Sequence, residues 1–116
     1  VFIERINYLS FPLILKPRIG VSPIINNKKN REKAHFMYII PNIESLFKIC
    51  PTIDNTMDWI LQEYIDHNSQ CHKIYVIGNN VFGTINDSTP NHNDINRNKS
   101  TFIDSSKFSK TPYNDQ

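Results

Sequence analysis

Between Ile60 and Phe82 the chain reads ILQEYIDHNSQCHKIYVIGNNVF, and no other stretch limits its fold as tightly. Leu61, Glu63 and Ile65 alternate with Ile60, Gln62 and Tyr64, as a strand with two unlike faces requires. His72-Lys73-Ile74-Tyr75-Val76-Ile77 is β-branched and aromatic enough to be its partner, across the polar link Asp66-His67-Asn68-Ser69-Gln70. Val81 to Ile85 follows a Gly78-Asn79-Asn80 turn, so the segment is expected to form an antiparallel meander. Gln62, Glu63 and Lys73 are its first functional candidates.

Upstream, Phe11-Pro12-Leu13-Ile14-Leu15-Lys16 is an apolar strand that ends in a lysine. Two lysines on strands can grip polyphosphate, because each ammonium is a compact charge on a flexible stem. Lys16 and Lys73 suit that role, although a lysine taken alone more often lies in solvent over its apolar stem. A helix tail is expected over Val1–Leu9 and a polar, mobile loop over residues 17–33. A strand follows over His35–Ile40. Pro41-Asn42 then opens a short helix, Ile43–Ile49, with Ile43, Leu46, Phe47 and Cys50 at the spacing of one buried face, and Pro51 ends it. Residues 87–99 are polar and Asn-rich and read as a second mobile loop, before a short strand at Thr101-Phe102-Ile103.

The net charge of +2 is too mild to argue for nucleic acid, and no zinc-finger or aromatic-basic motif accompanies it. Cys50 and Cys71 lack metal-knuckle or redox spacing and are expected as buried free thiols in a reducing compartment. None of His35, His67, His72 and His92 has metal-ligand spacing with another, so no metal site is expected in this chain. No apolar run is long enough to span a bilayer. A monomeric, cytoplasmic protein without nucleic-acid or membrane partners is expected. The 116 residues begin without methionine and close in the polar run Thr111–Gln116, so a piece truncated at both ends is expected.

The ordered segments LSFPLILKPR, AHFMYII and ILQEYIDHNSQCHKIYVIG resemble the inositol 1,3,4-trisphosphate 5/6-kinase family, whose members have an ATP-grasp fold. The family's FPLI-x-K strand supplies an ATP-contacting lysine, matched by Lys16. Its S-H-x-M-like segment supplies a histidine that meets inositol phosphate, matched by His35. Its Q-x-[FY]-I-x-H run and the [FY]-K-V-[FY]-V-[IV]-G run after it carry the adenine linker, matched by Gln62, Glu63, Tyr64 and Ile65, and a lysine shared by ATP and substrate, matched by Lys73. The later STFIDSSKFSK is similar to a strand and turn whose serines approach ATP, which implies that role for Ser105 and Ser109, with Ser88 a further ATP contact.

The resemblance implies a partial, central ATP-grasp lobe over residues 1–116, an α+β fold with an antiparallel sheet and one or two helices. It also implies a kinase that transfers the γ-phosphate of ATP to an inositol polyphosphate hydroxyl with Mg2+. The sequence departs from the family in three places. The loop 17–33 lacks a His-Gly-Thr-like run. Asn86-Asp87-Ser88 stands where an arginine and a Pro-Ser are usual. The magnesium carboxylates of a D-x-N-like motif are expected beyond Gln116, so this piece alone is expected to be inactive. An ATP-grasp carboxylate-amine ligase and a non-catalytic binding remnant are the alternatives.

Overall fold

The computed structural model describes residues 6–18 and 33–113, so most of the expected helix tail and of the loop 17–33 lies outside the described residues. Among the described residues, seven strands and the helix α1 follow in the order β1 (Leu13–Pro17), β2 (Phe36–Ile40), α1 (Ile43–Ile49), β3 (Trp59–Glu63), β4 (Gln70–Ile77), β5 (Asn80–Asp87), β6 (Thr101–Asp104) and β7 (Lys110–Pro112). They make an antiparallel sheet of order β3-β1-β2-β6 and a smaller one of order β4-β5-β7. The α+β class expected from the sequence is the class observed.

The expected meander is not. β3 pairs with β1, with Leu15 opposite Leu61 and Lys16 opposite Ile60, while β4 turns away into the second sheet and pairs with β5. The reason lies in the apolar run Leu13-Ile14-Leu15, which is buried throughout. A strand buried on both faces must be interior, so it needs a neighbour at each edge, and β2 and β3 supply them. The link after β3 then reverses direction at His67-Asn68-Ser69-Gln70. Asn68 and Ser69 take φ of 57° and 55°, the paired positive values of a type I′ turn, and Gln70 N donates to His67 O at 3.3 Å. The β4–β5 hairpin closes on Gly78, at φ 60°, and its outer half leaves Ile74, Val76, Ile77 and Val81 exposed.

Period-two alternation gives the first sheet two different faces. One carries Leu13, Leu15 and Ile40, which pack with Ile6 and with Leu46 of α1 into the main core, Trp59 and Leu61 at its margin. Asn42 caps α1 by accepting from Ser45 N at 2.8 Å, and its Nδ2 donates to Arg97 O at 2.9 Å. Phe47, expected on the buried face, is 51% exposed. At 3.6 residues per turn the buried arc centres between Leu46 and Ile49, and Phe47 falls about 100° beyond Leu46. The other face carries Ile39, which packs with Tyr64 and Ile95 and with Ile103 beside them, and looks toward the second sheet.

Two further readings change. Cys71 is exposed on β4 and only Cys50 is partly covered; burial raises the Cys50 thiol above its ordinary value. Residues 87–99, expected as a mobile polar loop, bury Thr89 and Ile95 and contain a 3-10 turn at His92–Asp94.

Lys33 donates to Asp54 Oδ2 at 2.6 Å and ties the approach to β2 to the approach to β3. That bond, followed by the Thr56 hydroxyl and amide on Oδ1, holds the Asp54 carboxyl well below the usual carboxylate range. A carboxyl depressed in the folded state stabilises fully above its unfolded value of about 3.9, and the contribution is lost as pH falls below it, because the unfolded chain takes up the proton first. Urea midpoints measured from about pH 6 down to pH 2 are therefore expected to fall with acid, and less steeply in Asp54→Asn.

Candidate functional site

The site forms where the inner face of the first sheet meets the second sheet. Lys16 and Ile14 are two residues apart on β1 and share that face with Gln62, which lies directly opposite Ile14. Together with Met37, Glu63, Tyr64, Ile65, His67, Ser88, Thr89 and Phe108 they line a cavity of about 250 Å³. Its lining mixes apolar and polar side chains, as small-molecule sites do.

Tyr64 fixes the geometry of this cavity. It is 5% exposed, and its N donates to Pro12 O at 3.0 Å while its hydroxyl donates to Pro90 O. Its own carbonyl accepts from His92 Nε2 at 2.5 Å, and His92 N donates to Asp66 Oδ1 at 2.9 Å. Burial pushes the Tyr64 phenol above its ordinary value, partly offset by the Thr89 hydroxyl, with the negative Asp66 adding to the rise. Glu63 is drawn to the opposite side by Ser10, whose N donates to Oε1 at 2.9 Å. His67 Nε2 meets Ser88 Oγ at 2.7 Å and fixes that hydroxyl on the cavity wall, while its buried Nδ1 has no partner among the described residues.

A second cavity, of about 200 Å³, adjoins the first and shares Ser88 and Phe108 with it. His35, Lys73, Ser105, Ser106, Cys71, Asn86, Asp87 and Lys110 complete its wall. The His35 carbonyl accepts from Ser105 N at 2.9 Å and from Ser105 Oγ at 3.2 Å, which joins the start of β2 to the end of β6. Asp104 caps the turn after β6; the hydrogen bond from the Ser106 hydroxyl holds its carboxyl below the ordinary range.

The sequence candidates thus divide. Lys16, Gln62, Glu63, Tyr64, Ile65 and Ser88 stand around the first cavity, and His35, Lys73, Ser88 and Ser105 around the second. Ser109 borders neither; its carbonyl accepts from Asp87 N at 2.8 Å. Sequence reasoning passed over Met37, Phe108 and Lys110. Met37 was findable, being two residues from Ile39 on the same sheet face, whereas Phe108 lies in an irregular segment with no period to follow. Among the described residues no three His, Cys, Asp or Glu side chains gather as a metal site, and no helix is long and apolar enough to cross a membrane.

The first cavity thus lies against residues 62–65 with Lys16 of β1 on its wall, and the second adjoins it. The family model of the inositol 1,3,4-trisphosphate 5/6-kinase ATP-grasp domain matches residues 3–116, and the chain belongs to that family. It is similar to inositol-tetrakisphosphate 1-kinase 6 of Oryza sativa subsp. indica, and to the protein of that name in Oryza sativa subsp. japonica, at 40% identity over 85 residues in each case. Those matches cover 72% of this chain and 13% of each relative, so the chain spans a small part of the length of the curated relatives it matches. No solved structure matches it.

Tyr64→Phe removes the donor to Pro90 O and leaves that carbonyl unpaired at a partly buried position. A loss of about 1–2 kcal/mol is expected in urea unfolding, against a smaller loss for Tyr75→Phe on the exposed hairpin.

Proposed function

We propose that this chain carries the nucleotide and substrate sites of an inositol polyphosphate kinase, which moves the γ-phosphate of ATP to an inositol hydroxyl. The observation that carries the reading is the pair of adjoining cavities with Ser88 and Phe108 in their shared wall. Two substrates that exchange a phosphoryl group must lie side by side, and holding them so is a large part of catalysis for this reaction. Family membership supports the same assignment and leaves the ligase alternative without support.

In this reading ATP occupies the first cavity. Its adenine lies against Gln62 to Ile65, with Ile14 and Met37 beneath, and Lys16 meets its phosphates from β1. The inositol polyphosphate occupies the second, where Lys73 offers a point charge and His35 a ring N–H donor. Ser88, held by His67, donates at the boundary where the transferred group would pass. Magnesium, when bound in such kinases, neutralises charge between the transferring oxygens. Among the described residues no cluster of donors gathers for it.

Calorimetry on the purified chain separates the two sites. Lys16→Ala is expected to weaken ATP by about 1.5–3 kcal/mol, the range for a hydrogen bond to a charged group, and to affect an inositol polyphosphate little. His35→Ala is expected to do the reverse. Unchanged ATP affinity in Lys16→Ala would sink the nucleotide assignment, and equal losses for both ligands in His35→Ala would reduce that residue to a packing role.

A further inference from the structure

The second sheet places three side chains of the second cavity's wall, Lys73, Asn86 and Lys110, on a common face. Cys71 and Lys73 are two apart on β4, and Cys71 lies opposite Asn86 on β5, which lies opposite Lys110 on β7. Because side chains alternate between faces, Lys73, Cys71, Asn86 and Lys110 all project to one side. Asn86 is 5% exposed and fills the middle, its Oδ1 accepting from Thr84 Oγ1 at 3.0 Å, so the two lysines flank a covered polar centre. β4 and β7 are two strand spacings apart, about 10 Å, which two flexible four-carbon stems can span toward a single polyanion. His35 faces the same space from β2's side, and Asp87 is the one carboxylate lining it.

We propose that Lys110 is a phosphate-contacting residue of this cavity, a second lysine that an inositol polyphosphate meets there beside Lys73 and His35; this rests on the inositol polyphosphate reading of the cavity. A lysine on an edge strand also guards against edge-to-edge pairing, and β7 is an edge. That role does not call for a position on the cavity wall or on the face of Lys73, and it makes no demand on ligand affinity. Two lysines and a histidine around one carboxylate favour a ligand with several phosphates over one with a single phosphate.

The test titrates the 116-residue chain with inositol 1,3,4-trisphosphate and, separately, with ATP at fixed ionic strength. Lys110→Ala and Lys110→Gln are expected to raise the Kd for the trisphosphate roughly tenfold, with Lys110→Arg recovering most of the loss. Lys107→Ala removes the same charge from an exposed residue that lines neither cavity and is expected to change it less than twofold. ATP affinity is expected to stay within twofold in all of these. Circular dichroism on each variant identifies any that fails to fold, and Lys110→Gln keeps the first two methylenes of the stem against that outcome. If Lys73→Ala weakens the trisphosphate while Lys110→Ala and Lys110→Gln match Lys107→Ala, the Lys110 proposal is overturned and the cavity reading stands. Equal losses for ATP and trisphosphate in Lys110→Gln also overturn it. If neither Lys73 nor Lys110 matters, or the wild-type chain binds no trisphosphate, the cavity reading falls and takes the proposal with it.

Discussion

Tyr64 is the residue through which the two sheets are joined. Its backbone amide is held by Pro12 at the head of β1, its hydroxyl by Pro90 and its carbonyl by His92, and its ring lies 5.2 Å from that of His92. The ring also packs with Ile39 of the first sheet and Ile95 of the segment after β5. A buried hydroxyl without a partner would cost on the order of 1–3 kcal/mol, so the tyrosine is held in place by polar as well as apolar contacts. The linker 62–65 therefore leaves the first sheet at a fixed angle, and the cavity between linker and β1 keeps its shape. Ser88 and Thr89 are brought to that cavity by the same knot, since the segment that holds Tyr64 follows directly on them.

From this knot the functional arrangement follows. β1 aims Lys16 inward because Leu13 and Leu15 are taken by the main core, and alternation leaves Ile14 and Lys16 for the opposite face. The second sheet approaches that face and adds Lys73 and Lys110 a short way off, with Ser88 and Phe108 between the two groups. On the proposed reading, two anionic substrates must lie close together yet be separately held, and two small cavities with a shared wall would meet that need with few residues.

Much of this was legible in the sequence, for reasons that can be named. α1 was read to its residues because Pro41-Asn42 and Pro51 bracket it, and β1, β2, β5 and β6 because their apolar runs are bounded by proline, asparagine or glycine. The partner of β3 was misread because adjacency in sequence suggests a hairpin, whereas the burial of Leu13 to Leu15 on both faces demanded β3 elsewhere. Phe47 was misplaced by a spacing of four residues that is as compatible with the rim of a helix face as with its centre. The candidate residues and their division between ATP and inositol phosphate came from ordered motifs, but Ser105, implied as an ATP contact, lines the second cavity, a placement that depends on how the sheets stack. Lys110 was invisible for the same reason: its significance comes from the β5–β7 register, which no local pattern encodes.

The central claim is that two ligands are held in separate but touching sites, and amide chemical shifts of the isotopically labelled chain test it most directly. ATP is predicted to move the resonances of Lys16, Gln62, Glu63 and Ile65, and inositol 1,3,4-trisphosphate those of His35, Lys73, Ser105 and Lys110. Ser88 and Phe108, in the shared wall, are predicted to respond to both. Perturbation of one common set of residues by the two ligands, or of residues remote from both cavities, would contradict the account.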